Sequence, residues 1–257
     1  MKQDKSYYIS FLGLFIMFLL YGLSTTGNLG DNPVGQTASY VNPLIVPAGY
    51  AFSIWGIIYI GLLVFPFYQW SKKNRDSANW QKVRVLYGIN ASLNGIWLAC
   101  ASYNWLVLSV LVIIIMLITL YRINELLIEI RHQEEPLNYW AEKLVFSIYF
   151  AWITLATALN VSSALSFYEW NGFGISEVNW SLIILPIVAL IAGLVVKKYR
   201  DIPYAAVVIW AFVAIVVKHW GVLQSICYLA IAVALIYSLF ILNELRIRTL
   251  RKELVKS

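Results

Sequence analysis

Long apolar runs separated by short polar segments set the pattern of this chain. Runs long enough to cross a bilayer core, about 17–25 residues, occur at about 7–24, 46–69, 85–103, 105–121, 144–166, 180–196, 203–218 and 223–242. Each predicts a membrane-spanning helix. The expected fold class is therefore an all-α integral membrane protein with eight transmembrane helices.

The basic residues give an independent test of that count, because cytoplasmic loops of membrane proteins are enriched in Lys and Arg. With a cytoplasmic N-terminus, the inner segments carry Lys2 and Lys5; Lys72, Lys73, Arg75, Lys82 and Arg84; Arg122, Arg131 and Lys143; Lys197, Lys198 and Arg200; and Arg246, Arg248, Arg251, Lys252 and Lys256. These are 18 of the 19 Lys and Arg residues, with Lys218 left over. A missed or false span would scramble the alternation, so both termini are expected in the cytoplasm. The expected location is a bacterial inner (plasma) membrane. Lys2 and Lys5 before an apolar run resemble a signal peptide, but no A-x-A-like site follows, so the first helix reads as uncleaved. Lys218, at a helix end, reads as a snorkelling side chain. The basic stretch 242–256 reads as a contact with anionic lipid headgroups. The inner segment 124–143, with Glu125, Glu129, Glu134, Glu135 and Glu142, reads as a solvated surface helix broken near Pro136.

Composition agrees with the pattern. Of 257 residues, 61% are hydrophobic and 12% charged, whereas a soluble domain carries about a quarter charged residues. The net charge of +6 comes from residues beside the spans, so nucleic acid is not an expected partner and membrane lipids are. Cys100 and Cys227 fall within apolar spans without metal spacing and read as small packing residues.

Tryptophans normally gather at membrane interfaces. Trp70, Trp80, Trp105, Trp140, Trp170, Trp180 and Trp220 lie at or near span ends and fit that belt. Trp55, Trp97, Trp152 and Trp210 lie near mid-span. In the third span Tyr87, Asn90, Asn94, Trp97 and Ala101 share one helical face. Tyr149, Trp152, Ala156, Thr157, Asn160 and Ser163 do so in the fifth, and Ala48, Phe52, Trp55 and Tyr59 in the second. Asparagine amides have little reason to face lipid, where an unpaired polar group is costly. Two readings compete: hydrogen bonds that join packed helices, and a cavity lined by aromatics and amides. Depth favours the cavity, because Phe52, Trp55, Asn94, Trp97, Ala156 and Asn160 lie at one level, roughly 9–15 Å from the outer ends at the helical rise. That argument needs the three helices to be neighbours. Above this level, residues 25–45 form the longest outer connection, either a surface loop or a lid.

At these residues the chain resembles the TspO/MBR family, tryptophan-rich sensory proteins related to the mitochondrial translocator protein. Pro47-Ala-Gly-Tyr-Ala-Phe-Ser-Ile-Trp55-Gly-Ile-Ile-Tyr59 resembles its P-x7-W-x3-Y segment. Leu93-Asn94-Gly-Ile-Trp97 resembles its L-N-x-x-W, and Ala151-Trp152-x3-Ala156-x2-Leu159-Asn160 its A-W-x3-A-x2-L-N. The resemblance covers about residues 7–166. It implies a TspO-like five-helix membrane domain at 1–166, followed at 167–257 by three further transmembrane helices and a basic cytoplasmic tail. It also implies an aromatic pocket for porphyrins or other haem-related tetrapyrroles, capped by the first loop. Carried over, Trp55, Trp97, Trp152, Asn94 and Asn160 line that pocket, Pro47 shapes the lid junction and Tyr59 can orient polar edges; the face-sharing Phe52, Asn90, Tyr149 and Ala156 complete the candidate ligand-binding residues. Gly49 and Ser53 depart from the family pattern, which has an aromatic and a proline there. Trp210 and Tyr204, in the sixth to eighth helices, could add to the core, pack an internal surface or form a separate site.

Catalytic motifs are lacking. His132 and His219 read as surface residues, the span centres contain no Asp, Glu, Lys or Arg, and ion coupling is therefore disfavoured. Trp-dependent photochemical breakdown of porphyrin is permitted by the resemblance alone. No cofactor or metal is required by the sequence. The expected function is a membrane receptor or sensor-like binding protein for a flat hydrophobic ligand such as a porphyrin. A passive carrier of amphipathic ligands and a structural or lipid-interacting protein are the alternatives, and a homodimer stays open.

Overall fold

The computed structural model describes residues 4–30, 43–71, 77–133 and 135–256. The proposed lid falls largely on 31–42, and Glu134 also lies outside the described residues. Eight long helices are present among the described residues: α1 Ser6–Thr25, α2 Ile54–Ser71, α3 Ala78–Ser102, α4 Leu106–His132, α5 Leu144–Phe167, α6 Glu177–Tyr199, α7 Ile202–His219 and α8 Gln224–Lys256. No strand occurs among the described residues. All except α3 are, with their flanking turns, long and apolar enough to cross a membrane. The polar residues that lower the apolarity of α3 face protein, since Arg84, Asn90 and Asn94 are buried. The chain is an eight-helix, all-α integral membrane protein.

Local sequence sets the helix starts. Ser77, Ser176 and Asp201 accept from the backbone N–H of Trp80, Asn179 and Tyr204, capping α3, α6 and α7, as short polar side chains do for the orphan donors of a first turn. Asn138 accepts from Trp140 and Ala141 and opens a π turn, Tyr139–Lys143, that leads into α5.

The chain forms two compact units, residues 1–42 with 54–169, and residues 43–53 with 170–257. In the first unit the five helices meet in the cyclic order α1, α3, α4, α5, α2 and back to α1. Glycines allow the closest approach. A Cβ on Gly13 would lie 2.1 Å from the Gly88 carbonyl oxygen, and one on Gly88 would lie 2.4 Å from that of Ile9. Close backbone contact through small residues is how membrane helices gain packing without a hydrophobic drive. Pro66 lies inside α2. It cannot donate to the Leu62 carbonyl four residues back, and that carbonyl instead accepts the Tyr87 hydroxyl of α3 at 2.6 Å.

The end of this ring where α1 begins is closed by charge. Arg84 donates to Ser6 Oγ (2.7 Å), to Gln69 Oε1 (2.8 Å) and to Asp4. Gln69 and the Asn138 N–H donate in turn to Glu142. Glu142 is 0% exposed. This corrects the expectation of a solvated 124–143 helix: α4 continues to His132 with Asn124, Leu127 and Ile130 buried, and Glu142 is enclosed because partners on α2 and its own turn satisfy it. Trp80, expected at an interface, is also fully buried.

In the second unit α8 packs on α6 and α7. Tyr237 donates to the Ala189 carbonyl at 2.6 Å. Arg200, left-handed at φ 49°, ends α6 and holds Glu244 of α8 with both carboxylate oxygens at 2.9 Å from Nε.

Candidate functional site

The interior of the five-helix ring brings α2, α3 and α5 together, the adjacency that spacing along single helices leaves open. Trp55 of α2 is the centre of an aromatic cluster. Its ring lies 5.3 Å from Tyr59, 5.7 Å from Trp97, 6.0 Å from Tyr149 and 6.4 Å from Trp152, centroid to centroid. The Trp97 pair is stacked at 26°, and the Trp152 pair is edge-on at 86°. Offset stacks and edge contacts are the favourable arrangements of ring quadrupoles, worth about 0.5–1.5 kcal/mol per pair beyond burial.

Two asparagines organise the cluster. Asn94 accepts from the Tyr59 hydroxyl at 3.2 Å and donates to the Tyr149 oxygen at 2.9 Å, linking α2, α3 and α5. Asn160 accepts from Trp97 Nε1 at 3.0 Å and Ser109 Oγ at 3.1 Å, and it donates to the Ala156 carbonyl at 3.0 Å. The first amide is buried together with Tyr149, Trp152 and Ala156. Around the second, Trp55, Trp97 and Asn160 keep part of their surface exposed. The site thus grades from a sealed, fully bonded layer to a half-open aromatic layer with an amide in it.

Asn90 shares a helical face with Asn94, but its amide donates to α4, to the Met116 carbonyl (3.0 Å) and Thr119 Oγ1 (2.7 Å). Pro47 and Phe52 belong to the second unit. Thr154 and Thr157 donate to carbonyls of their own helix, Phe150 and Ile153. Conversely, Tyr21 and Phe18 of α1 pack edge-on against Tyr59 at 5.1 and 6.1 Å, and Ser109 of α4 reaches Asn160. The aromatics of α1 carry no signal distinguishing them from lipid-facing ones; Ser109 is visible as one of two small hydroxyls, with Thr119, in an apolar run.

The cluster offers stacking surfaces, tyrosine hydroxyls and amides, with no acid, base or cation among its members. Among the described residues there is no group of three or more His, Cys, Asp or Glu placed to hold a metal.

No curated protein and no solved structure matches this chain. The family model described as TSPO-like protein matches residues 7–243, continuing past the expected limit near 166 through α6 and α7 and into α8. With the match running over most of the chain, the protein belongs to the TSPO-like protein family.

Proposed function

We propose that this protein is a membrane-embedded binding protein for a flat hydrophobic ligand, a porphyrin or related tetrapyrrole, received at the half-open layer of Trp55, Trp97 and Asn160. The observation that carries this is the parallel Trp55–Trp97 pair beside a part-exposed amide. A macrocycle can stack on these indole faces with an edge toward Trp152, replacing ring contacts of similar kind. Asn160 Nδ2 uses one proton on Ala156, and its other proton can orient a polar edge of the ligand. Family membership supports a ligand-binding or transport role at this coarser level.

A receptor is favoured over a carrier by what fills the ring beyond the sealed layer. Phe65 lies 4.8 Å from Tyr87 and 5.0 Å from Phe146. The Arg84–Asp4–Gln69–Glu142 network follows. A carrier would have to open both layers in each cycle.

Titrating protoporphyrin against the detergent-solubilised protein should quench its tryptophan fluorescence. Trp97→Phe with Asn160→Ala should weaken binding by about tenfold or more, as loss of a stacking face and a hydrogen bond requires. Equal affinity in wild type and variant, with helical circular dichroism unchanged, would remove the site. In sealed vesicles the wild type should bind the porphyrin without speeding its passage across the bilayer.

A further inference from the structure

Three residues have no part in the aromatic cluster: Lys218, left over by the charge tally; His219, expected at the surface but 5% exposed; and the mid-span Trp210. All three meet one segment. Residues 43–53 belong to the same unit as α6–α8 and run antiparallel along α7. His219 Nε2 lies 2.7 Å from the Leu44 carbonyl oxygen, so it is the protonated nitrogen. Lys218 Nζ donates to the carbonyls of Val46 at 2.9 Å and Pro43 at 3.4 Å, which corrects the snorkelling reading. The Ala48 N–H donates to the Ala214 carbonyl at 3.1 Å. Trp210 Nε1 donates to the Ala51 carbonyl at 3.1 Å, and its ring meets Tyr50 edge-on at 5.1 Å. At the Leu44 end, Glu177 of α6 accepts from the Leu44 N–H at 2.9 Å.

The register is monotonic: 44 with 219, 46 with 218, 48 with 214, 51 with 210. It covers ten residues of α7, from Trp210 to His219, about 13 Å at the helical rise. Non-helical backbone beside membrane helices persists only where protein satisfies its polar groups, and α7 supplies those partners at each step. The segment ends in the turn Gly49–Ser53, which passes directly into α2 at Ile54, one residue before Trp55.

We infer that α7 is a clamp for the chain leading into α2, with Lys218, His219 and Trp210 acting as positioning residues that hold the backbone of residues 44–51. Because Ile54 and Trp55 follow directly in the chain, loss of the clamp loosens the segment that enters α2 just before Trp55. The ligand consequence rests on the proposed site; the structural consequence does not.

The test pairs Lys218→Met with Trp210→Phe, which remove donors and keep bulk, in otherwise full-length protein shown by circular dichroism to retain its helices. Hydrogen exchange at residues 44–55 should rise about tenfold or more, with α5 unaffected. The coupled circular-dichroism band of the stacked Trp55–Trp97 pair, identified by its loss in Trp55→Phe, should weaken. Protoporphyrin should dissociate about tenfold faster with little change in association. Lys218→Arg, which keeps a donor, should restore part of each signal. Unchanged exchange, or raised exchange with an unchanged Trp55–Trp97 band, overturns the clamp. If the wild type binds no porphyrin, the proposed function fails while these two spectroscopic arms still decide the clamp.

Discussion

Asn94 and Asn160 do the same physical job at two levels of the ring, each joining three helices through one amide. For Asn94 the partners are Tyr59 and Tyr149, and all three groups are buried. Replacing Asn94 by Leu keeps the volume but strands two hydroxyls, so stability should fall by about 1–3 kcal/mol. Thr157→Ala removes a bond to its own helix and should change little; thermal unfolding of the two variants in one detergent checks the contrast. Asp4 provides the pH-dependent counterpart. Burial raises its carboxyl, but hydrogen bonds from Ser6 and Arg84 and the Arg84 charge hold it below the ordinary carboxylate range. A carboxyl depressed in the folded state contributes stability above its unfolded value, about 4, and loses it as pH falls through the folded value. The stability gap between wild type and Asp4→Asn should therefore be full near neutrality and close below about pH 4, measured by thermal midpoints across that range. A gap that widens on acidification would contradict the assignment.

At the scale of elements, the α1–α3 contact depends on what is missing from Gly13 and Gly88. Gly88→Ala places a methyl against the Ile9 backbone, which cannot yield as a flexible side chain would, so folded yield and resistance to denaturation should drop. Gly56→Ala is the control, because a Cβ there meets nothing within 4 Å; it should be neutral or stabilising by about 0.5–1 kcal/mol from helix propensity. The helices themselves were legible in the sequence. Alternating basic segments marked even α3, whose Arg84, Asn90 and Asn94 thin its apolarity. The face of each helix was legible too, since 3.6-residue spacing puts Asn94 with Trp97 and Trp152 with Asn160. Their partners were not: the Trp97–Asn160 bond spans 63 residues, and Asn90, on the same face as Asn94, turns to α4. Arg84 and Glu142 each read as solvated charges on the inner side. Their burial depends on Asp4, Ser6 and Gln69, residues from other parts of the chain that no local pattern connects.

For the whole molecule, two units share the labour. The five-helix ring carries the aromatic site, and the α6–α8 unit holds the segment that leads into α2. The family match through residue 243 makes the last three helices part of the family pattern rather than an appendage. Lys218, His219 and Trp210 were anomalies in the sequence because their acceptors are backbone carbonyls of a distant segment, and carbonyls leave no trace in residue identity. The proposed function turns on where the ligand sits. Light-induced oxidation by bound protoporphyrin, read by mass spectrometry of the peptides, reports which residues lie next to the macrocycle. Singlet oxygen formed from dissolved oxygen at the bound macrocycle should modify Trp55, Trp97 and Trp152, and excess haem, an iron porphyrin that does not sensitise, should suppress this. Modification confined to the exposed Trp140 and Trp220, with those three untouched, would contradict it.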